Sequence, residues 1–456
     1  MLDTTPGPVS SEQDDAALLR LGYRPSLGRS LGIGAILTYG LLFFVPMAPV
    51  AVFGYVATMS HGAPVLVYLV AALVMGLSAI SFREMARRFP VAGSVYGYTR
   101  LSTGRHLGFV AGWLVLLDYL LMPATLVVLA AVALEKVLPG VPVWAIVVGF
   151  ILVSMGLNLA GITVTTRAGV VLLAVQLVVL LVFGAYVVRA LAAGHAEPAL
   201  AAVWHPGVDV GAVLGAVSMA ALSYLGFDAV NTLNEEARGG GRTVGLATVI
   251  LLVTITVLFC AEVWAAALVT PVADLAETDV ARAFYLAVES VAPGWFSTVF
   301  TLTSAVLAIF SCLVVAHAST ARLLFAMARD GVLPSALART DRRGGPYVAV
   351  LVVSAVALGL GLALAGRSAL ATSLVTFGAL GSYVLLHVSV IVRCWCQERS
   401  GRWLTHLAVP LLGAAALLAV LSRTAPLTRT VGLLWLAAGG IGYALSLLLR
   451  SKAARG

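Results

Sequence analysis

Apolar residues run almost without interruption from Leu31 to Leu449, and the few polar or Pro/Gly breaks divide that run into lengths of membrane-spanning size. A helix needs about 20 apolar residues to cross the hydrocarbon core of a bilayer. Cutting at the breaks predicts spans at 32–58, 64–82, 105–135, 143–161, 168–188 and 211–236, then 242–269, 294–327, 347–365, 369–393, 403–422 and 430–449. The expected fold is an all-α polytopic membrane protein with 12 transmembrane helices. Residues 1–30 are polar and lack the apolar core of a signal peptide, so the first span is expected to lead insertion.

Composition agrees. Of the 456 residues 61% are hydrophobic and 11% charged, against about 25% charged in a soluble domain. Charge also orients the map. With the N-terminus inside, only Lys136, Arg189, Arg282, Arg367, Arg423 and Arg429 fall outside, and the other 22 of the 28 basic residues face the cytoplasm. That asymmetry obeys the positive-inside rule. It places a multi-pass protein in the cell membrane with both termini cytoplasmic. The net charge of +8 then reflects orientation and is no argument for nucleic acid as a partner.

Two spans are internally broken. Val45-Pro46-Met47-Ala48-Pro49 puts two prolines at membrane depth in the first, and Ser223-Tyr224-Leu225-Gly226-Phe227-Asp228 puts Gly and Asp there in the sixth. Unwound backbone survives in a membrane only where it lines a protein cavity. Interruptions at matching places in two five-helix halves, spans 1–5 and 6–10, point to the binding site of an inverted-repeat transporter. Each proline also frees a carbonyl one turn back: Pro46 that of Leu42, Pro49 that of Val45, and Pro123 that of Tyr119. Such carbonyls suit an ammonium group, while N–H groups at a half-helix starting near Pro49 suit a carboxylate.

Ionisable residues inside spans are costly and functional by default. Here they are Asp118, Asp228 and Glu262, with His317 and His387 closer to the inner side. Asp118 reads as a packing contact, an ammonium counter-ion or a proton site, and Asp228 as a cap on the second half-helix or a site group. Glu262 falls toward the outer half of its span, as a vestibule or coupling residue. The histidines read as packed, hydrogen-bonded groups. Phe89–Ser94 is expected to re-enter as an inner gate, with Glu235 and Glu236 pairing to arginines of that gate. The cysteines, Cys260, Cys312, Cys394 and Cys396, form no convergent ligand set, so no metal or cofactor is expected. No phosphate-binding Gly-x-x-x-x-Gly-Lys-[Ser/Thr] loop is present, which argues against direct use of ATP. Nor do His, Cys and carboxylate groups converge as in an enzyme.

Several stretches resemble the amino acid–polyamine–organocation (APC) superfamily along nearly the whole chain. They are Arg88–Tyr98, Gly108–Trp113, Leu117–Pro123, Ser223–Glu236, Ala316–Leu324 and Met327–Pro334. Within that superfamily the chain is most similar to the bacterial putrescine importers, which share the Pro-Met of the first break, the Leu-Asp-Tyr-Leu run and Phe377-Gly378-Ala379-Leu380. The resemblance implies a LeuT-like fold: a cytoplasmic tail (1–30), two inverted repeats (31–190 and 191–394), and two further helices with the C-terminal tail (395–456). It implies proton-driven symport by alternating access. Tyr224 replaces an expected phenylalanine, Glu262 is an unexpected acid, and Gln176 stands where several proton-coupled relatives carry lysine.

The expected substrate is a putrescine-like amine or else an amino acid, with the proton, or sodium, as coupling ion. A passive channel fits the paired breaks less well. The site is expected from Phe44, Val45, Pro46, Met47, Ala48 and Pro49, from Asp118 and Tyr119, and from Ser223, Tyr224, Gly226, Phe227 and Asp228. Asp118 and Glu262 are the candidates for coupling. The topology has a direct test. Cysteines introduced at positions 12 or 340 are expected to escape an impermeant thiol reagent in intact cells, and strong labelling at either reverses the orientation.

Overall fold

The computed structural model of the chain describes residues 29–137, 140–194, 200, 202–270, 280–364, 368–424 and 426–453, together with Leu19. Most of the predicted N-terminal tail thus lies outside the described residues. The described chain is helical, and its one β-type contact is an isolated bridge between Leu31 and Ala237. Eight helices are long and apolar enough to cross a membrane, and a bent pair, Ile33–Phe44 (α1) with Pro49–Met59 (α2), adds a ninth span. Shorter apolar helices occupy Val143–Leu159 (α6) and Tyr347–Ala363 (α13).

The first span breaks where its prolines require it. Val45 precedes Pro46, a position that disfavours the helical region, and it takes φ 52°, ψ 94°. Pro49 opens α2 as its first residue, where a missing N–H costs nothing. The two halves meet at 56°. Pro64–Arg88 (α3) follows, then Ser94–Thr103 (α4) and Arg105–Val137 (α5). The segment expected to re-enter, Phe89–Ser94, leads into α4, whose residues Ser94–Thr99 are buried. α5 carries Pro123 in its interior yet stays continuous. The Thr320 hydroxyl donates to the Tyr119 carbonyl at 2.7 Å and so replaces the N–H that proline lacks.

Ile162–Ala192 (α7) leads to the sixth span, where Val210–Ser223 (α8) ends in a turn and resumes as a 3-10 helix, Phe227–Leu233. Gly226 makes that turn with φ 105°, a conformation that a side chain would strain, and the Phe43 ring fills the space a Cβ would need. The second half of this span is therefore a tight 3-10 segment, against the α-helical half expected. Gly240–Val269 (α9), Ala283–Val291 (α10), Gly294–Leu302 (α11) and Ile309–Arg329 (α12) come next. After α13 the chain closes with Ser368–Val390 (α14), Val409–Ser422 (α15) and Pro426–Ala453 (α16).

Backbone hydrogen bonds tie the starts and ends of the two broken spans together. Ser30 and Leu31 N–H groups donate to the Glu236 carbonyl at 3.1 and 3.0 Å, and the Arg238 N–H donates to Leu31 at 2.7 Å. The last helix is held by reciprocal bonds across a stacked pair: Trp113 and Trp435 each donate an indole N–H to the other's carbonyl, at 2.8 and 2.9 Å. α5 and α14 cross so closely at Gly378 that an added Cβ would lie 2.7 Å from the Leu114 carbonyl and 2.8 Å from the Asp118 N–H nitrogen. Gly378→Ala is therefore expected to destabilise the fold by ~1–3 kcal/mol, measured as a lower unfolding temperature in detergent; an unchanged value would mean that the crossing relaxes freely.

Candidate functional site

The two breaks face each other at the centre of the helix bundle. The rings of Phe44 and Phe227, one from each break, stack at 6.3 Å. Phe82 of α3 and Tyr383 of α14 close the group, with ring centres 5.3–5.4 Å from Phe227 and 5.4 Å from each other. Phe43 adds a ring 6.4 Å from Tyr119.

Asp228 lies beside these rings at 2% exposure. Its carboxylate accepts the Tyr119 hydroxyl at 2.6 Å and the Tyr383 hydroxyl at 2.7 Å, one on each oxygen. The N-cap residue of the 3-10 segment is Gly226, and both oxygens of the Asp228 carboxylate are turned to the tyrosines. A buried carboxylate needs such donors, since desolvation leaves it otherwise uncompensated. Asp118 is buried nearby, within electrostatic reach of Asp228, the Tyr383 hydroxyl and the Cys312 thiol. Its Oδ1 has no hydrogen-bond partner. The arrangement is two carboxylates, one satisfied and one open, walled by aromatic faces.

The proline-freed carbonyls serve the fold more than the site. Tyr119 is taken by Thr320, as above, and the Val45 carbonyl accepts the Ala48 N–H at 2.8 Å. Val50 N–H, near the start of α2, is likewise spent on Met47 at 3.2 Å. The neighbouring Phe43 carbonyl receives the Cys312 thiol at 3.2 Å.

Other expected residues sit elsewhere. Ser223 and Tyr224 turn away from Asp228 toward α3: Ser223 Oγ lies 3.0 Å from the Tyr68 hydroxyl, and the Tyr224 hydroxyl donates to the Tyr68 carbonyl at 3.1 Å. Glu262 occupies no exposed vestibule; it is buried at 4% exposure. Its electrostatic neighbour is Tyr68, so it does not join the Asp118–Asp228 pair. Gln176 donates to Ser311 at 3.2 Å. His317 rests between Ser154, Ser354 and the Val350 carbonyl, and His387 between Ser78 and Ser81, both as packed groups.

Toward the arginine-rich end the bundle is closed in layers. Tyr98 donates to Asn231 at 3.1 Å and accepts from Asn234 at 2.6 Å. Below that, Arg322 pairs with Glu236, and Arg329 pairs with Glu235 at 2.7 Å, while the Ala92 N–H donates to Glu235 at 2.9 Å. Glu235 thus meets the Phe89–Ser94 segment, but the arginines that pair with the two glutamates come from α12 and not from the expected gate. A cavity of about 370 Å³ opens beyond the Arg322–Glu236 pair, lined by Asn158, Gly161, Asp341 and Arg343 among others.

Tyr383 and Phe82 were not among the residues expected from sequence. A buried tyrosine in an apolar helix signals a partner for its hydroxyl, and that rule marks Tyr383; Phe82 carries no such signal.

A sequence model of the amino acid permease family matches residues 32–440. The low-affinity putrescine importer PlaP of Escherichia coli (strain K12) is 27% identical over 91% of this chain and 93% of its own. The branched-chain amino acid permease BcaP of Bacillus subtilis (strain 168) is 27% identical over 92% of each. The vacuolar cationic amino acid transporter 2 of Arabidopsis thaliana is 29% identical over 80% of this chain and 58% of its own.

Tyr383→Phe removes one donor from Asp228 and leaves a buried carboxylate oxygen bare, which costs ~1–3 kcal/mol. The expected result is a lowered unfolding temperature with intact fold. Wild-type stability in that variant would mean that Asp228 does not depend on the bond.

Proposed function

Since the chain belongs to the amino acid permease family, and is therefore a membrane transporter and not an enzyme, we propose that it imports a small, putrescine-like amine by proton-coupled symport and alternating access. The observation that carries this reading is the pair of buried carboxylates, Asp118 and Asp228, set among the rings of Phe44, Phe82, Phe227 and Tyr383. Two acids in mutual reach repel each other when both are charged, and a bound cation relieves that repulsion. An ammonium takes the open Oδ1 of Asp118. Asp228, oriented by its tyrosines, supplies the fixed field, and the aromatic faces add roughly 1–2 kcal/mol once water is excluded.

In this reading the halves at 31–190 and 191–394 rock about the two breaks, and the Arg322–Glu236 and Arg329–Glu235 pairs part when the inner side opens. The likeness to a putrescine importer along nearly the whole of both chains supports the amine. The likeness to a branched-chain amino acid permease supports the second reading, an amino acid substrate. A substrate carboxylate would need free N–H groups at the breaks. Those of Ala48 and Val50 are already bonded within the first break, and the two acids would repel it.

A thermal-shift screen of the purified protein with putrescine, spermidine, lysine and leucine separates these readings, because a ligand of the folded state raises its apparent stability. Putrescine is expected to give the largest shift; a larger one with leucine assigns the amino acid. Asp118→Asn is expected to weaken amine binding by ~1.5–3 kcal/mol, roughly ten- to hundredfold. Unchanged amine affinity in a folded Asp118→Asn protein would make the acid structural. Uptake is expected to collapse with a protonophore; uptake that survives it but fails without sodium reverses the coupling assignment.

A further inference from the structure

Glu262 is the buried acid that the substrate site leaves unused. It lies in α9, at 4% exposure, and neither of its carboxylate oxygens has a hydrogen-bond partner. Asp228 is buried too, but two hydroxyls compensate it. Among the described residues no cation pairs with Glu262. The titratable groups that face it are Tyr68 of α3, with Tyr224 behind that ring, and Cys260 on its own helix. The charged pair on the segment after α9, Arg282 with Glu289 at 3.7 Å, is solvent-exposed. An ionised carboxylate in such a place has nothing to offset its lost hydration.

The position gives a proton there a mechanical meaning. Tyr68 is an electrostatic neighbour of Glu262, and its hydroxyl meets Ser223, the last residue of α8, at 3.0 Å. The Tyr224 hydroxyl returns to the Tyr68 carbonyl at 3.1 Å. The rings of Tyr68, Tyr224 and Phe259, one turn before Glu262, pack at 5.3–6.0 Å. This aromatic seam joins the Ser223–Tyr224 corner at the end of α8 to α3 and α9. A charge at Glu262 draws water into it and loosens the corner.

We propose that Glu262 is a proton-binding site that latches the first half of the broken sixth span: with the proton bound, α8 lies closed against α3 and α9, and release of the proton frees the Ser223–Tyr224 corner. This rests on the coupled-transport reading above and gives the proton a place separate from the amine. One proton binds per closure and one is released per opening, with no other chemistry at the site.

The test has two arms. Infrared spectra of the purified protein at neutral pH are expected to contain a protonated carboxyl stretch that Glu262→Gln removes; identical spectra overturn the proposal, whatever the substrate proves to be. In proteoliposomes, Glu262→Gln is expected to keep putrescine exchange down its own gradient while pH-gradient-driven accumulation falls at least tenfold and its pH dependence flattens. Accumulation equal to wild type overturns the latch. Wild-type protein that moves no putrescine defeats the amine reading alone, since the infrared arm still decides Glu262. Were Glu262→Gln poorly folded, Tyr68→Phe, which removes the hydroxyl link to Ser223, is expected to shift the pH profile of accumulation. An unshifted profile counts against the latch.

Discussion

Backbone interrupted at membrane depth leaves polar groups that lipid cannot satisfy, and the bundle is organised around meeting that demand. Each break recruits partners from helices distant in sequence: Thr320 for the Tyr119 carbonyl, the Cys312 thiol for Phe43, and Tyr119 and Tyr383 for the acid that follows the sixth-span turn. These partners draw α5, α12 and α14 inward around the first and sixth spans. One of those partners, Tyr383, also contributes its ring to the aromatic walls of the site, beside Phe44, Phe82 and Phe227.

The same demand explains which features were legible in the sequence. Apolar length is summed over many residues, so the all-helical, many-span character and the two breaks follow from the chain alone. Pro46, Pro49 and Gly226 announce themselves by what they do to their own backbone. Partner choice does not read locally. Nothing near Tyr119 says that Thr320, about two hundred residues later, takes its carbonyl, and nothing near Ser223 says that it faces Tyr68 instead of Asp228. Glu235 and Glu236, expected to pair with arginines of the Phe89–Ser94 gate, pair instead with Arg329 and Arg322 of α12.

Charge is distributed by depth. At the arginine-rich end the buried acids are compensated by cations: Glu84 by Arg88 and His406, Asp330 by Arg100, Glu235 and Glu236 by Arg329 and Arg322. In the middle compensation is by hydroxyls, at Asp228, and partial at Asp118. Farther along, Glu262 has none. In the proposed reading, this gradient from full to absent compensation assigns the three depths to closure, cation capture and proton exchange.

The short backbone tie between Leu31 and the Glu236–Arg238 segment joins the first span's entry to the sixth span's exit. Neither discontinuous helix can then swing at that end without carrying the other, as two oars fixed to one rowlock move together. Side chains lend this yoke no specificity, since main-chain atoms alone form it. In the proposed alternating access, the turns at Val45 and Gly226 are then left as the places where each broken helix can change its angle.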